Sequence, residues 1–156
     1  LLNNEMDDFS IKPGHPNKYG LVGKEANAIA PKKRMLSSMT PTIVLKDDKP
    51  FIILGSPGGS TIITTVLQTI LNVTVHNMDI QEAVSAPRIH SQWLPDVIMA
   101  EQYSIIKDVE ESLKSKGHII EPYKWTKIGE MNAILINENG YFGAADTRGE
   151  NTAIGY

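Results

Sequence analysis

Strand-forming residues occur in this sequence as two close-set pairs, and that spacing constrains the fold more than any other feature. Thr42-Ile43-Val44-Leu45-Lys46 and Phe51-Ile52-Ile53-Leu54 are separated only by Asp47-Asp48-Lys49-Pro50. A turn-forming run between two β-rich segments reads as a hairpin. Ala133-Ile134-Leu135-Ile136 and Tyr141-Phe142-Gly143-Ala144-Ala145 flank Asn137-Glu138-Asn139-Gly140 in the same way. Strands joined so tightly run antiparallel, because a parallel neighbour needs a crossover of a dozen or more residues.

Between the two hairpins the period changes. Thr61 to Leu71 reads as a helix with Ile62, Ile63, Val66, Leu67, Ile70 and Leu71 on one broad apolar face. Asp79-Ile80-Gln81-Glu82 matches a capping box and opens a short helix ending near Pro87. Ser104 is placed to cap a third, with Ile105, Ile106, Val109 and Leu113 periodic and Gly117 ending it. Hairpins with helices layered on them define an α+β fold. From Glu5 to Ser38, by contrast, Pro13, Gly14, Pro16, Gly20, Gly23 and Pro31 interrupt any pattern. So long an irregular stretch in a compact domain points to a lid or a binding loop.

The 156 residues have the length of one domain or one large piece of a domain. A net charge of −3 gives no electrostatic footprint for nucleic acid, and Lys32-Lys33-Arg34 reads as a solvated loop. Without cysteine there is neither a disulfide framework nor a thiolate metal site. His15, His76, His90 and His118 lack metal-ligand spacing, so no metal and no cofactor is expected. No apolar run reaches the ~20 residues of a membrane helix. Leu1-Leu2-Asn3-Asn4 reads like the middle of a strand running into a loop, so the chain is expected to be part of a longer polypeptide.

Three segments can carry chemistry. Glu5-Met6-Asp7-Asp8 sets three carboxylates within four residues. It is either a solvated acidic turn or a pair of carboxylates aimed at a ligand ammonium. At ~4 Å and an effective dielectric near 20, such a contact supplies ~4 kcal/mol. Ser37-Ser38 offers hydroxyls that can donate to a carboxylate without adding charge, or is plain loop. Gly58-Gly59 lies between a buried strand and a helix N-terminus, where backbone N–H groups can approach a ligand and the helix dipole favours negative charge. The lysine of a phosphate-binding Walker loop is missing. Two amides of an oxyanion hole fit better, with a simple strand–helix turn as the other reading. Ser56 and Ser60 do not make a nucleophile elbow. Recognition groups and an anion hole are thus present without an activated nucleophile.

Taken in order, Leu2-Asn3-Asn4-Glu5-Met6-Asp7-Asp8-Phe9, Pro31-x-Lys33-Arg34-x-Leu36-Ser37-Ser38-Met39-x-Pro41-Thr42, Gly55-Ser56-Pro57-Gly58-Gly59-Ser60, Ala86-Pro87-Arg88-x-His90, Gln92-Trp93-Leu94-Pro95-Asp96 and Gly155-Tyr156 resemble the small subunit of gamma-glutamyltransferases. That resemblance implies an N-terminal nucleophile hydrolase fold, a four-layer αββα sandwich of which this chain is an incomplete part. It implies a precursor that cleaves itself into large and small subunits, with the small subunit's N-terminal threonine as nucleophile, upstream of Leu1. It further implies that Glu5 and Asp8 hold the α-ammonium of a γ-glutamyl group, and that Ser37 and Ser38 bind its α-carboxylate beside an arginine of the large subunit. Gly58 and Gly59 would supply oxyanion-hole amides, and residues 13–23 would form a lid with Tyr19 as its gating aromatic. Substrates would be γ-glutamyl amides such as glutathione, acceptors water, amino acids or peptides, and the compartment the periplasm or the cell exterior. A related cephalosporin or glutaryl acylase would not need both Glu5 and Asp8; a non-catalytic amino-acid-binding or assembly module is the other alternative. Met35 and Thr147 stand where many members have proline.

Overall fold

The computed structural model describes residues 5–124 and 127–155. Its main sheet is built from the two hairpins expected above. β1 (Thr42–Lys46) and β2 (Lys49–Gly55) form the first, β6 (Asn132–Asn137) and β7 (Gly140–Ala145) the second, and the strand order is β1-β2-β6-β7. All three pairings are antiparallel. The first turn is tighter than the expected Asp47–Pro50. Only Asp47 and Asp48 lie outside the strands, both at positive φ (51° and 60°), the backbone of a primed hairpin turn that aspartate tolerates. Lys49 and Pro50 extend β2, and a bulge skips Phe51, so that Val44 faces Ile52 while Leu45 faces Pro50. Pro50 has no N–H to donate, and it lies beyond the stretch Ile52–Gly55 that pairs with β6.

Alternation assigns the two faces. Val44, Ile52, Leu54, Ala133, Leu135 and Ala144 point toward α1 (Ile62–Thr74) and α2 (Ile80–Ser85), and form the core with Ile62, Val66, Val73, Ile80, Ala83, Val84 and Met131. Fully burying a side chain such as Ile52 contributes about 2–3 kcal/mol. Across the other face Ile43 pairs with Ile53, and Ile53 with Ile134, all three exposed. Helices thus cover one face of the main sheet, and among the described residues its other apolar face is left exposed.

Helix α1 runs three residues beyond the expected Leu71 and is preceded by a 3₁₀ turn, Gly59–Thr61. Its buried face also differs from the one expected. Thr65 and Thr69 are buried beside Ile62, Val66 and Val73, whereas Ile63, Leu67 and Leu71 are exposed. Residues 62, 66, 69 and 73 follow the helical repeat, whereas 63 and 67 lie about 100° or more around it and 71 lies nearly opposite. Thr69 Oγ1 donates to the Thr65 carbonyl (3.0 Å), which satisfies the buried hydroxyl within the helix. In α2 the capping box forms as expected: Asp79 Oδ1 accepts from Glu82 N (2.8 Å), and Glu82 Oε2 accepts from Asp79 N (3.0 Å).

The expectation of hairpins alone fails in one place. β3 (Ile89–His90), β4 (Ile98–Ala100) and β5 (Ile120–Pro122) form a second sheet, and β4 and β5 are parallel. Helix α3 (Lys107–Ser115) makes the crossover between them. Strands of two or three residues are too short to show an alternating signal. Nor does Ser104 cap α3. Its hydroxyl donates to the Glu101 carbonyl (2.7 Å), and the helix begins after Ile106. Gly117 (φ 91°) ends the helix as expected, in a Schellman motif: His118 N donates to Leu113 O (3.1 Å) and Gly117 N to Lys114 O (3.0 Å).

Candidate functional site

The site is built around the turn that leaves β2. Gly58 (φ 146°) and Gly59 (φ 57°) both lie where side chains are disfavoured. A Cβ on Gly58 would stand 2.5 Å from Thr61 Oγ1 and 3.1 Å from the Gly129 Cα. Gly129 (φ 68°) is itself wedged against Thr65 Oγ1 and Ser56 Oγ. Thr61 closes the turn, its N–H (3.1 Å) and hydroxyl (2.9 Å) both reaching the Gly58 carbonyl. No acceptor among the described residues takes the N–H of Gly58 or Gly59. Two N–H groups at the positive end of the 3₁₀ turn and α1 can stabilise a developing negative charge.

Tyr19 covers this turn. A Cβ on Gly59 would come within 2.7 Å of Tyr19 Cε1, so the ring lies directly on that glycine. The loop carrying Tyr19 is closed at its base by Gly14 N donating to Gly23 O (2.8 Å) and by a bridge between Pro16 and Val22. Gly23 in turn packs against Ser10, leaving no room for a side chain. At the tip, Asn17 Oδ1 accepts from Tyr19 N (2.9 Å) and Leu21 N (3.0 Å). The segment 13–23 is thus an ordered loop with its aromatic tip on the glycine turn.

The acidic and serine segments are tied to each other by a residue that the sequence did not mark. Glu5–Asp8 is one turn of 3₁₀ helix, so Glu5 and Asp8, three apart, fall on one side. Asn27 Nδ2 donates to the Asp8 carbonyl (2.7 Å), while Asn27 Oδ1 accepts from Leu36 N (3.1 Å), next to Ser37. Ser37 Oγ is engaged locally with Met39 O (3.2 Å) and Met39 N (3.4 Å), and Ser38 is exposed. Neither serine hydroxyl bonds the Asp8 carboxylate. A lone asparagine in an irregular stretch carries no pattern that would have found Asn27. Replacing it by alanine removes both hydrogen bonds, at a net cost of about 1–2 kcal/mol. Hydrogen exchange at the Leu36 amide is expected to accelerate about tenfold, with that of Ile53 unchanged.

Behind Gly129 lies a network of four charges. Buried Arg88 pairs with Asp146 (2.8 Å) and donates to Ile128 O (2.8 Å) and Val84 O (2.6 Å). Arg148 pairs with Glu101 (2.6 Å) and with Asp146 (3.1 Å). Glu101 also accepts from Ile128 N (2.9 Å) and Arg88 N (2.8 Å), and Asp146 from Met131 N (2.8 Å). The segment entering β6 is therefore clamped on both sides of Gly129. Burial alone would raise the Asp146 pKa, but the Met131 and Arg148 N–H groups and the Arg88 charge outweigh it and hold the carboxyl below its ordinary value. Glu101 is likewise lowered against the effect of burial, by its hydrogen bonds from Arg148, Ile128 and Arg88. Burial, then repulsion from Arg148, lowers the Arg88 pKa. Thr147 sits inside an Arg148 N–Asp146 Oδ1 hydrogen bond (2.9 Å) that holds the same turn. Among the described residues no three His, Asp or Glu side chains could gather a metal, and no helix is long and apolar enough to cross a membrane.

Known proteins share the fold. A crystal structure of a Helicobacter pylori gamma-glutamyltranspeptidase mutant superposes with a TM-score of 0.88 at 56% identity, covering 96% of this chain and 81% of that one. The Pseudomonas nitroreducens gamma-glutamyltranspeptidase complexed with L-DON gives 0.90 at 43% identity, covering 100% and 81%. At 21% identity and a TM-score of 0.69, the Bacillus anthracis transpeptidase CapD shares the fold alone. The fold is α+β, of the N-terminal nucleophile hydrolase type, with this chain as one part of the four-layer sandwich. The family model for gamma-glutamyltranspeptidase matches residues 1–156, and the chain belongs to that family. The glutathione hydrolase proenzyme of Escherichia coli (strain K12) is 49% identical over 149 residues, 95% of this chain and 25% of that protein. Its counterpart in Bacillus subtilis (strain 168) is 42% identical over 157 residues, 99% of this chain and 24% of that protein. The chain spans about a quarter of the length of the curated relatives it matches.

Proposed function

We propose that this chain is the substrate-recognition part of a gamma-glutamyltransferase. The enzyme cleaves γ-glutamyl amides such as glutathione through a γ-glutamyl-enzyme, then passes the group to water, an amino acid or a peptide. The observation that carries this reading is the Gly58-Gly59 turn, with two N–H groups that no described residue accepts and a tyrosine over it. In this reading those amides receive the oxyanion of the tetrahedral intermediate. Glu5 and Asp8 hold the substrate ammonium, and Ser37 and Ser38 donate to its carboxylate. The Ser37 hydroxyl leaves its local turn with Met39 to do so. The nucleophilic threonine and the neighbouring arginine come from residues outside these 156, the arginine from the large subunit of the same precursor. The uncovered sheet face of Ile43, Ile53 and Ile134 supports a chain that packs against further protein. By its family, the enzyme works in the periplasm or outside the cell.

The acidic pair gives the direct test. In the assembled enzyme Asp8→Asn keeps the shape and removes the charge. A charge-assisted hydrogen bond is about twice as strong as a neutral one, so kcat/KM toward a γ-glutamyl amide is expected to fall by at least ~2 kcal/mol, more than tenfold. The matching glutaryl amide has no ammonium and is expected to lose much less. Equal losses on one preparation would show that Asp8 supports the structure instead.

A further inference from the structure

One route of hydrogen bonds joins the Tyr19 loop to the glycine turn through the second sheet, and it passes through two side chains to which the proposed chemistry gives no role. Gln92 Nε2 donates to the Tyr19 carbonyl (3.0 Å) and to the Leu94 carbonyl (3.1 Å). With the amide nitrogen facing two carbonyls, Gln92 Oε1 is the end that meets His90 Nε2, at 2.9 Å. That nitrogen must then carry the proton, since the amide oxygen can only accept. His90 is buried and its Nδ1 lies 2.8 Å from Thr64 Oγ1. Thr64 Oγ1 also lies 3.1 Å from the carbonyl of Thr61, the residue that closes the Gly58 turn; while Nδ1 is unprotonated, the one hydroxyl proton serves one of these two acceptors at a time. Gln68 fixes the strand that carries His90: its amide donates to Ile89 O (2.7 Å) and its oxygen accepts from Ile89 N (3.0 Å). From Gly58 the route runs through Thr61, Thr64, His90 and Gln92 to Tyr19, whose ring returns to Gly59.

We infer that Gln92 is a positioning residue that latches the 13–23 loop, with buried His90 orienting its amide, so that the Tyr19 ring stays over the oxyanion turn. Apart from the bonds closing its base, the loop is joined to the second sheet through the Gln92–Tyr19 hydrogen bond. A side chain on Gly20 would meet the same Gln92 amide at 3.4 Å, so the latch seats against backbone on both sides of the Tyr19–Gly20 peptide. Its strength governs how often the aromatic cover lifts, and hence how readily an acceptor amine rather than water reaches the acyl-enzyme. This last consequence rests on the transferase reading; the latch itself does not.

The test uses the assembled two-subunit enzyme and Gln92→Met, which keeps length and volume but removes both hydrogen-bonding ends. The first readout is the rate of trypsin cleavage after exposed Lys18, mapped by mass spectrometry against cleavage after Lys116 as an internal control. Loss of one net hydrogen bond is expected to raise the Lys18 rate about fivefold. The second readout is the ratio of transfer to hydrolysis with a peptide acceptor, for Gln92→Met alone and in a Tyr19→Ala background. If Gln92 acts through the ring, the ratio shifts in the parent and not when Tyr19 is already gone. An unchanged Lys18 rate overturns the latch. A faster Lys18 rate with an unchanged ratio supports the latch and overturns the gating role of the loop. A ratio that shifts equally in both backgrounds shows that Gln92 acts by another route and overturns the inference.

Discussion

Alanine in place of Gly58 is expected to cut turnover of the assembled enzyme by two to three orders of magnitude while leaving subunit association intact. Gly58 sits at φ 146°, where any L side chain is strained. The added methyl would also lie 2.5 Å from Thr61 Oγ1 and 3.1 Å from the Gly129 Cα. The hydroxyl can rotate away, but the Gly129 backbone is held by the charge network behind it, so the 58–59 peptide must turn instead. That movement re-aims an N–H, and the loss of one oxyanion donor typically removes ~3–4 kcal/mol of transition-state stabilisation. Steady-state kcat, with size-exclusion chromatography to confirm assembly, measures it. Ser60→Ala, one residue beyond the pair, serves as the control. Activity within a few-fold of the parent would remove Gly58 from the oxyanion site.

The second large effect is on stability. Arg88→Met leaves the Asp146 carboxylate buried without its closest guanidinium. Breaking a buried ion pair by removing one partner costs about 3–5 kcal/mol; because Arg148 still pairs with Asp146, the denaturation midpoint is expected to fall by an amount matching the lower end of that range. Because Arg88 also holds Ile128 O, activity should decline with it. The network carries a pH signature. Asp146 and Glu101 both have folded pKa values below their ordinary ones. Their contribution is therefore fully present above about pH 5 and is lost as the pH falls through the depressed values. Stability measured from neutral pH into acid should hold level and then drop. In Arg88→Met the acid-dependent part should be smaller, since one cause of the Asp146 depression is gone. An Arg88→Met enzyme as stable as the parent would reduce the network to decoration.

What could be read from the chain and what could not divide along physical lines. Both hairpins were legible because apolar runs flanking Asp47-Asp48 and Glu138-Asn139 state their own pairing. Gly58 and Gly59 were legible as a turn before a helix, and Asp79 as a cap, since these depend on neighbours in sequence. The sheet of β3, β4 and β5 was not, because strands of two or three residues show no pattern of their own and β5 joins β4 only across α3. The exposed side of α1 was misread for a related reason: Ile63, Leu67 and Leu71 are as apolar as the residues that are buried, and only the position of the sheet distinguishes them. Asn27, Gln92 and Gly129 act through contacts far away in sequence, as do Arg88 and Glu101. Their residue types alone give no notice of it.

The crowding around Gly58, Gly59 and Gly129 distributes freedom to change unevenly over the molecule. A methyl group on Gly58 would meet buried Thr61 and the Gly129 backbone, and one on Gly129 would meet Ser56 and buried Thr65, so in the proposed reading the wall beneath the reacting carbonyl has little room to vary. Above it stands one tyrosine on a loop whose tip is half exposed and whose sequence is bound mainly at Gly14, Asn17 and Gly23. If the proposed function holds, new preferences for incoming amines, whether selected in nature or sought in the laboratory, would therefore arise by substitution at positions 18, 19 and 21, and not in the floor of the site.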